Sequence, residues 1–177
     1  MLAVYRTDWN HGVFKPDSRT KKMWYPEPAS SSEIISLCPI KTMTDPFDDL
    51  ILYLRVAQAF KNRLQMSDRD RALVLAGTYA SLLQMNGVAN FCRELVLRNN
   101  QGHMLRKHED FRSATEDPDF GVFLKHVRRK LSRETAEAQL VTLDYHCDVR
   151  PTDYPTQLEF AAAVMGVDLV WLEDNFG

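Results

Sequence analysis

Between Ala72 and Met85 the chain runs for fourteen residues without a single charge. A helix with no charged face has to be covered on most sides by other elements, so this stretch predicts a central helix with the rest of the chain packed around it. Ser67 and Asp70 resemble a capping pair at its start, and Asn86-Gly87 reads as its stop. Gly77, flanked by Ala76 and Ala80, costs about 1 kcal/mol against alanine inside a helix, a cost that close approach of a neighbouring helix offsets.

Helix start and stop signals surround this segment. Thr44-Asp45-Pro46 offers an N-cap followed by proline at the first helical position, and Asp48 and Asp49 suit the positive end of the helix dipole. Leu50, Tyr53, Ala57, Phe60 and Leu64 follow at spacings of three and four, which predicts an amphipathic helix of about twenty residues. A third helix carries Val88, Phe91, Cys92, Leu95 and Val96 on one stripe and exits through Asn99-Asn100-Gln101-Gly102. A fourth is expected around Met104, His108, Phe111 and Thr115. Asp117-Pro118-Asp119 then repeats the cap, proline and acidic-turn pattern, with Phe120, Phe123, Leu124, Val127 and Leu131 as the buried stripe and Arg128, Arg129 and Lys130 at the C-terminal end. Ser132 and Glu134 open a sixth helix around Ala136, Leu140 and Leu143. Thr156 and Glu159 form a capping box for a seventh, which Gly166 ends, and a short turn near Leu169 to Asn175 completes the chain.

The expected fold is therefore all-α, a globular bundle of six or seven mostly antiparallel helices over residues 45–177. Residues 1–44 differ in kind and are expected to form an irregular arm laid over it. Val4-Tyr5-Arg6 and Val13-Phe14 can pair as a short β-hairpin, whereas Pro16, Pro26, Pro28 and the Ala29-Ser30-Ser31-Ser32 run predict loop. Trp9, Trp24 and Tyr25 sit in this arm, where large aromatics either staple it to its own core or dock on a partner.

Cys38, Cys92 and Cys147 are odd in number, far apart and without a C-x-x-C pair, which suits reduced thiols and argues against zinc ribbons. Charge enters before any apolar leader can form, and no run approaches the roughly 20 apolar residues of a membrane span, so a cytoplasmic protein without membrane association is expected. The net charge of −2 conceals segregation: residues 134–177 hold nine carboxylates against Arg150 alone, while residues 90–133 hold ten Lys and Arg against six acids. We expect these two segments to face each other within one fold; the alternative is a basic partner for the acidic end.

Sites of chemistry are sparse. Asp144-Tyr145-His146-Cys147-Asp148 is the densest group of potential ligands and nucleophiles, but consecutive residues point apart, whereas a metal site needs donors that converge. His103 and His108 lie five apart, about 140° around a helix, and cannot form an i, i+4 ligand pair. Phosphate-loop, dinucleotide and nucleophile-elbow motifs are absent, so no cofactor or metal is expected and no catalytic residue is assigned. The basic run Lys125 to Arg133 can in principle grip phosphates, yet it lies in a mildly acidic chain with no nucleic-acid-binding motif, and we expect a solvated helix end.

Two segments resemble known motifs. Gln157 to Asn175, with Ala162, Gly166-Val167 and Leu172, is similar to a helix-turn-helix, which implies two helices packed at a corner. The would-be recognition helix, Asp168-Leu169-Val170-Trp171-Leu172-Glu173-Asp174, carries three acids and no base, which removes the implied DNA contact. Leu82 through His103 is similar to the middle of a tetratricopeptide repeat, with Gly87 at the turn and Cys92 as the small residue five later. The family's tryptophan and proline positions are unmatched and no second copy recurs near a period of 34. This resemblance implies an antiparallel helical hairpin and partner binding.

The functional expectation is a non-enzymatic interaction or adaptor domain that binds a protein partner or itself. It would use Trp9, Trp24 and Tyr25 of the arm, or the acidic C-terminal face of Trp171, Glu173 and Asp174. The alternative is an enzyme or small-ligand or metal binder whose site assembles distant residues such as His103, His108, His146 and Cys147.

Overall fold

The structure is a computed structural model that describes residues 45–177, within the unit Thr42–Gly177. The arm, with its expected hairpin and with Trp9, Trp24 and Tyr25, lies outside the described residues. Eight α-helices and no strand occur among the described residues: α1 (Pro46–Asn62), α2 (Met66–Leu82), α3 (Asn86–Asn99), α4 (Phe111–Glu116), α5 (Pro118–Lys130), α6 (Arg133–Thr142), α7 (Gln157–Met165) and α8 (Leu169–Phe176). Two 3-10 turns, Met104–Lys107 and Pro151–Asp153, interrupt the series. The all-helical bundle read from the sequence is the fold. The expected fourth helix is in fact the first 3-10 turn followed by the six-residue α4, because Asp110 caps a new start, accepting from the Ser113 amide at 2.7 Å.

Capping chemistry accounts for most helix starts. Asp45 accepts from the Phe47 amide ahead of Pro46, Asp117 accepts from Asp119 ahead of α5, Ser132 from Thr135, Thr156 from Glu159 and Asp168 from Trp171. The start of α2 differs from expectation. It begins two residues early, behind Gln65, with no side-chain cap, and Ser67 and Asp70 lie inside it.

The exits of α1, α2 and α6 share one solution. The amides of Gln65, Met85 and Tyr145 reach back to the carbonyls of Phe60, Ala80 and Leu140 at 2.9, 2.9 and 3.2 Å, and Leu64, Gln84 and Asp144 take positive φ of 59°, 60° and 49°. None is glycine. Leu64 is thus not part of the buried α1 stripe; it stands at the turn, 83% exposed. Asn86-Gly87 likewise does not stop α2 but forms the first turn of α3, so the tetratricopeptide-like segment is a hairpin whose turn precedes its glycine.

At the centre α2 packs on α1, α3, α4 and α5, and Ala72 to Ala76 and Ala80 are fully or almost fully buried. Gly77 is needed there for the ring of Phe111: an added Cβ would lie 2.6 Å from Phe111 Cζ. Phe111 meets Phe120 of α5 edge-on at 5.9 Å, so one aromatic pair ties α4 and α5 to the centre. The α7–α8 corner turns through Gly166, at φ 75°, and buries Ala162 and Leu172, as the helix-turn-helix likeness implies. No helix among the described residues is long and apolar enough to cross a membrane.

Candidate functional site

The acidic C-terminal face forms on α8. Trp171 is held edge-on by Phe91 of α3 at 5.5 Å and by Phe176 at 5.6 Å, yet remains 42% exposed, beside the exposed Val170. Glu173 and Asp174 are exposed and engage in no ion pair among the described residues. Behind this surface, Asn90 of α3 donates to the Phe176 carbonyl at 3.1 Å and accepts from the Phe111 amide at 3.0 Å. One side chain therefore fixes both the end of α8 and the start of α4. Asn90 was not singled out from the sequence, because a lone asparagine carries no periodic signal.

The acidic and basic segments meet through α3 and α8, not through the most basic helix, α5. Basic α5 packs on α2 and α4, whereas acidic α8 packs on α3 and α7. Among the described residues one ion pair joins the two blocks, Arg133 to Glu137 at 2.9 Å, and it lies within a single helical turn. The basic run is also divided in its tasks. Arg128 lies over the Tyr79 ring at 5.7 Å, and Arg133 bonds the buried Asp49 of α1. Tyr53 stacks on Tyr79 and donates to the Leu131 carbonyl at 3.3 Å. Burial above all, with the negative charge of Asp49, raises the pKa of both hydroxyls, so both stay protonated and this cluster pins α1, α2, α5 and α6 together.

The four residues proposed as a distant-assembled site do not converge. His146 pairs with Asp144 at 3.2 Å on the open surface. Cys147 is half-buried beside Tyr145, while Cys92 is fully buried, its thiol pushed up to about 12 by burial, and is inert. His108 Nε2 lies 3.2 Å from Asp117. Arg93, by contrast, bonds the carbonyls of Leu105 and His108 and so anchors the 3-10 turn between the two histidines. No group of three His, Cys, Asp or Glu side chains able to hold a metal occurs among the described residues.

Of these four residues, His103 lines a concave site. A groove of about 500 Å³ opens between α2, the end of α3 and α5, with Val74, Val127 and Phe123 as its apolar wall. Asp70 lies in it, buried, but its charge is met: Arg69 contacts one oxygen through Nε at 3.1 Å and Nη2 at 2.8 Å, and Asn99 donates to the other at 2.6 Å. Arg71 of α2 and Lys130 of α5 border the groove, and His126 adds an imidazole. His103 stands edge-on to Phe123 at 5.3 Å, and its Nδ1 accepts from the Leu105 amide at 3.2 Å, which leaves the ring proton on Nε2. Burial lowers its pKa, the carboxylate of Asp70 partly opposing, so the ring is neutral at pH 7. The groove escaped the sequence reading because its members come from three segments of the chain whose side-by-side placement no local spacing announces.

No protein-family model, no curated protein and no solved structure matches this chain. The arrangement of its own residues is what bears on function.

Proposed function

We propose that this helical domain is a non-enzymatic protein-binding module whose α8 presents an acidic surface to a basic, amphipathic segment of a partner protein. The segregation of charge carries this reading: the acidic end is left unneutralised by the basic helix of its own chain. Val170 and Trp171 supply apolar anchors next to Glu173 and Asp174, the combination that favours a partner helix with aliphatic and cationic faces. Trp171 is already braced by two rings, so little side-chain entropy is lost when a partner covers it.

The test uses the full chain and a labelled amphipathic helix of leucine and lysine as probe. Fluorescence anisotropy should report saturable binding that weakens at least about tenfold in the double variant Glu173→Lys, Asp174→Lys, and falls as salt rises above about 0.15 M. Equal affinity of variant and parent would overturn the reading.

A further inference from the structure

We propose that the groove between α2, α3 and α5 is a binding site for a small organic anion with an aromatic or otherwise flat apolar body, independent of the α8 surface. Its volume, about 500 Å³, falls in the range of small-molecule pockets, roughly 300–1,000 Å³. Chemistry fixes the class of ligand. The one carboxylate on the groove wall, Asp70, is already matched by Arg69 and Asn99, so it offers no counter-charge for a cation. The charge left over is positive. Arg71 on α2 shares its charge with Asp68, whereas Lys130 on α5 has no carboxylate partner among the described residues.

Beside these cations stand Phe123, half-buried and a surface for a flat ring, and His103, whose protonated Nε2 has no acceptor among the described residues. An anion with an apolar ring satisfies all three at once: the ring on Phe123, the negative group toward Lys130 and Arg71, and an acceptor atom for His103. A bare inorganic anion leaves the apolar wall wet, and an uncharged ring leaves the lysine unused.

Calorimetric titration of the full chain with 1-naphthyl phosphate, 1-naphthol and inorganic phosphate separates these contributions. The naphthyl phosphate should bind at one site, and naphthol and phosphate each at least about tenfold more weakly. Lys130→Glu should weaken naphthyl phosphate at least about tenfold, Lys130→Arg should retain it, and Lys107→Glu, a charge reversal on an exposed residue outside the groove, should leave it unchanged. On binding, the imidazole resonances of His103 should move and those of His146 should stay. Absence of saturable binding, equal affinity for naphthol, or an unaltered affinity in Lys130→Glu with its helical circular dichroism intact would overturn the proposal.

Discussion

At Gly77 the usual preference for alanine in a helix is reversed by one neighbour, since the ring of Phe111 occupies the space a methyl group would need. His103 shows the same dominance of surroundings over intrinsic chemistry. Its Nδ1 is committed to the Leu105 amide and its ring is half-buried, so the folded state resists the second proton. The pKa is lowered below 6.5, and the unfolded chain takes up the proton first as pH falls. The stability contributed by the neutral ring is therefore complete above about pH 6.5, declines below it, and levels off once pH passes below the folded value. Thermal unfolding at pH 7.5 and pH 5 should show this decline. His103→Gln should lessen the difference between the two pH values, and nuclear magnetic resonance titration should place His103 below 6.5. A titration at or above 6.5 would refute the assignment.

Among the elements, the helix exits differ in the residue that closes them. Three helices end on a left-handed residue that is not glycine, and α7 ends on one that is. The left-handed conformation costs an L-residue roughly 1–2 kcal/mol, so Leu64→Gly should stabilise the chain by about 1 kcal/mol while removing a leucine that is 83% exposed. Gly166→Ala should cost a similar amount, about 1 kcal/mol, even though nothing lies within 4 Å of the added methyl, because the strain is in the backbone. Urea midpoints of the two variants, displaced in opposite directions, check both. Absence of glycine at Gln84 is also why the α2 exit was misplaced in the sequence reading: the glycine that follows, Gly87, belongs to the next helix.

For the domain as a whole, α8 is both part of the packed core and an exposed acidic surface. Leu172 on its inner side is fully buried, and an added Cβ at Gly87 would meet it at 3.5 Å. Leu172→Ala should lose about 3 kcal/mol, a large share of the roughly 5–15 kcal/mol that holds an ordinary domain together. The charge reversal at Glu173 and Asp174, on exposed positions, should by contrast change stability by no more than about 0.5 kcal/mol each. Chemical denaturation of the two variants distinguishes a helix that is integral to the domain, with a functional outer face, from an appendage.

Local chemistry made much of this fold legible in the amino-acid sequence. Asp45-Pro46, Asp117-Pro118 and Thr156 with Glu159 announced helix starts because caps act within three residues, and the uncharged run in α2 announced a covered centre because burial excludes charge. The acidic quarter was visible as composition. Its relation to the basic helix was decided only by packing: which helices lie side by side depends on contacts between residues far apart in the chain, and those place α5 against α2 and α4, away from α8. The groove is likewise a product of tertiary structure. Asp70, Asn99 with His103, and Phe123 with Lys130 come from three separate segments, and they meet only because helix packing brings the end of α3 alongside α2 and α5.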